Sequence, residues 1–480
     1  MESTTRQHLK RDFRARDAFA FSFAAISPIA AIYSVFGLVI VLAGPVGWWI
    51  YLAVFAISLV VASTLGLVAS RLPIEGGSYQ WARRLGGPTL GWVAGWSYLW
   101  TWLIGTASVA YFMAGILPPL LGLDPFTLSQ QTIVAIVIIA CATLLNMLGP
   151  GVLKIFTRIC LAAEAIGSVV LALVLLVSHR NHSFSVLTER AGATPHHYVW
   201  GGLFFAVALI GYSFSGFESV CSMAEEVRDP ARHLPKVMIY AVLVLGAVVL
   251  LSAMALIVAI PDLPAVMAGQ VADPASNTVV AALGADFAKP FLLLILIAFS
   301  ASLVACNTTA SRVMWSFARD GVIPASKFLV RLSTRRSYPI RSLITAGVLS
   351  AVVMLSAFSD RIYTTLVAGA TATYYITITA VIGALAVKVF TRRFSYGPFT
   401  LGRATGAFVL VSLAWVAFEV VNLAWPRATG QAWYVSWAVP LGLGAIAVLG
   451  VVIRVIFRPD HDAAGSQNDP DTEGELAPSA

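Results

Sequence analysis

Charge is scarce in this chain. Asp, Glu, Lys and Arg make up 11% of its 480 residues, against about 25% in soluble globular proteins, which excludes an ordinary water-facing surface. Cysteine is scarce too, and Cys141, Cys160, Cys221 and Cys306 show no metal-type spacing. Apolar packing or a pore-lining thiol is the expectation for them, not a disulfide. No pair of histidines falls inside an apolar stretch; His179, His182, His196, His197 and His233 all lie between stretches. A phosphate-binding glycine loop and a cluster of catalytic groups at one depth are also missing. The sequence therefore predicts no enzyme, no cofactor and no metal site.

What remains is hydrophobic: 59% of the chain. Apolar stretches long enough for a bilayer core of ~30 Å recur at 19–44, 48–70, 90–116, 131–149, 154–178, 199–224, 237–260, 288–316, 341–358, 362–388, 403–424 and 433–457. They predict an all-α membrane protein of twelve transmembrane helices. With the N-terminus inside, every Lys and Arg except Arg180, Arg190, Lys289, Arg361 and Arg427 falls on the inner side, as the positive-inside rule requires. A multi-pass plasma-membrane protein with both termini cytoplasmic follows. The net charge of +8 is then explained by anionic inner-leaflet lipids, and no nucleic acid is expected as a partner. Residues 1–17 form a basic leader, 18–458 the transmembrane domain, and 459–480 an acidic tail without Lys or Arg that is expected to be disordered.

Two of the stretches are interrupted. The first, Phe19 to Gly44, contains Ala25-Ile26-Ser27-Pro28-Ile29-Ala30; the sixth, Gly201 to Ala224, contains Tyr212-Ser213-Phe214-Ser215-Gly216-Phe217-Glu218. In lipid, broken backbone survives only inside protein or along a wet cavity, and two broken spans in corresponding places point to a transporter's central site. Breaks in spans one and six imply a repeat of five helices. Five is odd, so the second copy enters the membrane from the opposite side: an inverted repeat of spans 1–5 and 6–10, with spans 11 and 12 appended. A small-molecule substrate, membrane lipids and protons are the expected partners, and a homodimer stays open. Residues 71–89, with paired glycines and several aromatics, suggest a re-entrant or interfacial segment.

Three motifs carry a resemblance. The first is Glu75-Gly76-Gly77-Ser78-Tyr79-Gln80-Trp81, followed by Gly87 and by Gly91 to Trp96. The second is Gly216-Phe217-Glu218-Ser219, then Glu225-Glu226, Arg228-Asp229-Pro230 and Pro235. The third is Ser311-Arg312, then Ala318-Arg319-Asp320-Gly321 and Pro324. In this order they resemble the amino acid–polyamine–organocation superfamily, over essentially residues 14–458. The resemblance implies a LeuT-like fold and an amino acid permease, with an aromatic gate at Tyr212. One stretch departs from the family. Where many members carry Gly-x-Gly at the first break, this chain has Ser27-Pro28, and proline has no N–H to offer a substrate carboxylate. A small amine such as ethanolamine, or a polyamine-type substrate, therefore stands beside an α-amino acid.

The expected substrate-binding residues are Ile26, Ser27, Pro28, Ile29, Ala30, Thr101, Gly105, Tyr212, Ser213, Phe214, Ser215, Gly216 and Asn307. Two acids stand inside spans. A carboxylate there costs several kcal/mol unless it is paired, protonated or hydrated. Glu218, at the second break, is read as a proton carrier or as a structural acid that holds the unwound turn. Glu164, about 15 Å into span five, is read as a second proton site or an ion-paired group. Glu419 reads as peripheral. Ser97, Thr101, Gly105 and Ser108 form a small and polar stripe, fit for helix packing or for a cavity wall. Secondary transport by symport or exchange is the expectation, against a sensor or channel of similar fold without coupled flux.

Overall fold

The computed structural model describes residues 13–190, 202–271, 273–333, 338–355, 362–426 and 433–457. Residues 1–12 of the basic leader and the whole acidic tail lie outside the described residues. The described chain is helical throughout, without strands; a single parallel bridge joins Phe13 to Val227. Eleven helices among the described residues are long and apolar enough to cross a membrane. Of the ninth expected span, 341–358, the described residues form a helix of 15 residues, Ile340–Met354, and residues 356–358 lie outside the described residues.

The first span is built from three pieces: α1 (Ala15–Ile26), α2 (Pro28–Tyr33) and α3 (Phe36–Ala43). Then come α4 (Gly47–Arg71), the short amphipathic α5 (Ser78–Gly86), α6 (Pro88–Leu121) and α7 (Leu128–Met147). The fifth span is α8 (Pro150–Glu164) and α9 (Leu171–Ser178), joined by a π-helical segment at Ala165–Val170. The sixth is α10 (Phe204–Ser213), a break, and a 3-10 segment at Phe217–Glu226. The remaining long helices are α11 (Pro230–Ala259), α12 (Ala288–Arg319), α13 (Ile340–Met354), α14 (Ile362–Phe390), α15 (Thr405–Ala424) and α16 (Ala438–Phe457). Pro88, Pro150 and Pro230 each open a helix, where the missing N–H costs nothing.

Burial separates the inner helices from the outer ones. The first span is 83% buried along its apolar window and α16 only 6%, so α16 leaves its hydrophobic side chains on the outside of the bundle. The third helix, α6, packs against both α12 and α14, while α4 packs along α11. The two broken spans pack against α11 and α12, with α4 and α14 beside α10, and are largely buried inside the bundle.

At one end the bundle is closed by a polar cluster in which all three sequence motifs meet. Arg312 of α12 is fully buried; its Nε donates to Glu226 Oε1 at 2.8 Å and lies 3.6 Å from Glu75 Oε1. Its guanidinium also stacks over Tyr338, 4.3 Å from the ring centroid. Arg319 pairs with Glu225 at 2.9 Å. Asp320 accepts from Tyr79 (2.7 Å), from Gln80 (2.8 Å) and from Arg83. Gly76 N donates to Ser222 O at 3.2 Å, with Gly76 at φ +100°, a left-handed conformation that glycine adopts without strain. Residues 71–89 thus form a plug rather than a free loop.

Three carboxylates, Glu75, Glu225 and Glu226, share two guanidinium groups there. Burial and the neighbouring Glu226 carboxylate push the Glu75 carboxyl well above the usual carboxylate range. Its folded form therefore holds a proton that the unfolded chain releases. The stability this contributes is full below the ordinary carboxylate range and falls as pH rises through the raised value. Glu75→Gln should flatten that alkaline decline when unfolding temperature is followed against pH in detergent. Arg312→Ala should lower stability by about 3–5 kcal/mol, because it leaves Glu226 buried without its cation. The same thermal measurement checks it.

Candidate functional site

The two breaks face one cavity. Its wall is formed by Ala25 and Ile26 at the end of α1, Thr101, Trp102 and Gly105 of α6, and Tyr212, Ser215 and Gly216 at the second break. Ser302 and Cys306 of α12 and Ala370 and Tyr374 of α14 complete it. Its empty volume, open solvent included, is about 470 Å³. Six of the thirteen expected substrate-binding residues line it: Ile26, Thr101, Gly105, Tyr212, Ser215 and Gly216.

The other seven serve the breaks or the packing around them. Ser27 sits at the first break with φ 50°. Its hydroxyl donates to Glu164 Oε1 and accepts from Ala30 N at 3.0 Å. Ile29 N donates to Glu164 Oε2 at 3.0 Å, and Ala31 N returns to Ser27 O at 2.7 Å. Pro28 has no N–H, so the first turn of α2 is fully partnered. Ser213 donates to Ala31 O at 2.6 Å and ties the two breaks together. Phe214 stacks on Phe55, with centroids 6.1 Å apart. Asn307 points to α7, where its amide donates to Thr143 at 2.8 Å; its neighbour Cys306 takes the cavity wall.

Glu218 is fully buried at the start of the 3-10 segment. Tyr98 donates to its Oε1 and Tyr374 to its Oε2, each at 3.1 Å. Because Tyr374 also lines the cavity, one hydroxyl separates this carboxylate from the site. Glu164 is buried as well, and Arg158 is not its partner but pairs with Asp17. Glu419 is fully buried, with Asn422 at 3.4 Å, and is therefore not peripheral; the helix turns it inward rather than to the interface.

Ala25, Trp102, Ser302, Cys306, Ala370 and Tyr374 were not expected at the site. Ser302 and Cys306 lie one turn apart, a helical spacing that marks the cavity face of α12. Ala370 and Tyr374 show the same spacing on α14. Nothing in either sequence distinguishes that face from ordinary packing.

The cavity thus lies between two interrupted helices inside a multi-pass helical bundle. The family model described as amino acid permease matches residues 15–447, and the chain belongs to that family. It is 23% identical over 463 residues to an amino-acid permease homologue of Oryza sativa, covering 88% of this chain and 86% of that one. It is 28% identical over 230 residues to a choline transporter of Saccharomyces cerevisiae, covering 47% and 40%. A vacuolar cationic amino acid transporter of Arabidopsis thaliana is 29% identical over 311 residues, covering 60% and 48%.

Gly105 provides a test of the cavity. A Cβ there would meet Cys306 Sγ at 3.9 Å, an ordinary contact, whereas a longer side chain must enter the empty space. Gly105→Ala should fold and keep binding of small ligands. Gly105→Leu should unfold at the wild-type temperature yet lose ligand-induced stabilisation.

Proposed function

We propose that this chain is a secondary active transporter that moves a small amino acid or amine across the plasma membrane by alternating access, coupled to protons. The observation that carries the reading is the link from cavity to buried acid: Tyr374 lines the cavity and donates to Glu218. A carboxylate buried at this depth is costly when ionised, and its partners are two hydroxyls rather than a cation. It can therefore take up and release a proton as the cavity fills and empties. In the same reading spans 1–5 and 6–10 form the inverted repeat, and the plug at α5 closes the cytoplasmic side, where the Lys and Arg bias puts it. Lipid covers the outer helices.

The two acids take different roles in this cycle. Glu218 carries the proton, and Glu164, with both oxygens spent on Ser27 and Ile29, fixes the first break. An amine substrate is the second reading, supported by the match to a choline transporter and by the lack of an N–H at Pro28.

Purified protein in proteoliposomes should show counterflow with a panel of amino acids and amines. Uptake should collapse with a protonophore and be indifferent to sodium. Strict sodium dependence would sink the proton version, and saturable binding without flux would indicate a sensor. Glu218→Gln keeps size and hydrogen bonding but cannot titrate, so it should abolish the pH response of flux. Glu164→Gln should retain that response. Wild-type pH dependence in Glu218→Gln would show that Glu218 is structural.

A further inference from the structure

The cavity wall is rich in acceptors. Ser215 donates its hydrogen to Tyr212 O at 2.8 Å, Ser302 to Ala25 O at 3.2 Å, and Thr101 to Ser97 O or Thr373 Oγ1, both at 3.0 Å. Tyr374 gives its hydrogen to Glu218. With these donors committed to protein partners, what the four hydroxyls have left for a ligand is lone pairs. Trp102 and Tyr212 add aromatic faces, which attract cations. Ala25 and Ile26 stand at the C-terminal end of α1, the negative end of its dipole. No Lys, Arg or His lines the cavity.

The amides freed at the first break, which could otherwise receive a carboxylate, are already partnered within the protein. At the first break Glu164 accepts from Ile29 N and Ser27, Ser27 accepts from Ala30 N, and Pro28 has nothing to donate. At the second, Glu218 stands in the first turn of the 3-10 segment. A ligand carboxylate brought here would be desolvated beside two buried acids, without a cation and without a free amide at the first break. Burying a charge unpaired is among the costliest things a site can do.

We propose that the site selects small ammonium ions that lack a carboxylate, alkyl or hydroxyalkyl amines, and that Glu164 is the residue that excludes amino acids by occupying the first break. The proposal rests on the transport reading above and sharpens it. A primary ammonium brings donors to this acceptor-rich wall.

Matched pairs test it: ethanolamine against serine, and ethylamine against alanine. In each pair the two ligands differ by the carboxylate alone. Binding to the purified full chain in detergent is measured by titration calorimetry, and uptake in proteoliposomes. Each amine should bind at least about tenfold more tightly than its amino acid, the scale of a lost charge-assisted hydrogen bond. Equal or tighter binding of the amino acids would overturn the proposal. Amines that bind without being taken up would leave the selectivity standing and remove the transport reading. Amino acids taken up while amines are excluded would do the reverse, and failure of all four to bind would remove both. Glu164→Ala, which uncovers the Ile29 amide, should narrow the gap within each pair. An unchanged gap in a folded Glu164→Ala protein would refute the role given to Glu164, and the wild-type pairs decide the selectivity whether or not that variant folds.

Discussion

The whole arrangement depends on one constraint: backbone groups set free inside a membrane must find partners within the protein. Two spans are broken here, and each break is answered locally. At Ser27 the freed amides go to one side chain from the same turn and one from span five. The π-helical segment that follows Glu164 belongs to this solution, since such bulges reset the facing of a helix within one turn. At the second break Gly216, at φ +97°, turns the chain beneath Trp102, and Ser213 reaches across to Ala31 O. The breaks are joined to each other, so neither can shift alone.

The 3-10 segment Phe217–Glu226 extends this coupling down the molecule. It begins with Glu218 beside the cavity and ends with Glu225 and Glu226, which hold Arg319 and Arg312. Gly76 is tied to it at Ser222, and Phe13 pairs with its end through Glu226 O. Ten residues therefore span the distance from the cavity floor to the plug. The proposed alternating access needs a structure with two arrangements of nearly equal free energy, and in that reading this segment links the acid beside the cavity to the ion pairs at the end of the bundle.

Much of this was legible in the sequence, for reasons that lie in chemistry. The spans, the two breaks and the two intramembrane acids are written as composition: long apolar runs, Ser27-Pro28 and Ser215-Gly216 inside them, and carboxylates where none should be. Tyr212, Thr101 and Gly105 followed from their places beside the break or on a polar stripe. What the sequence could not supply was pairing across helices. Asn307 looked like a cavity residue because it is polar in an apolar helix, but its amide N–H is turned to Thr143 on α7. Tyr374 was not singled out, because no local pattern reveals that its hydroxyl meets Glu218. The motifs around Glu75, Glu226 and Arg312 were visible as a family signature, yet only the fold brings them to one point.

The hydroxyls around Glu218 explain how a neutral event could have a structural consequence. Ionised, the carboxylate accepts from Tyr98 and Tyr374, one at each oxygen. Protonated, one of its oxygens becomes a donor, and one tyrosine must then accept or turn away. If Tyr374 turns, its hydrogen faces the cavity, and a wall rich in acceptors gains a donor. The proposed proton cycle and the proposed preference for cations then share one switch: the ionised acid presents the acceptor wall that an ammonium fits, and protonation withdraws part of it. Binding and release would follow the charge on Glu218 without any direct contact between the ligand and that carboxylate.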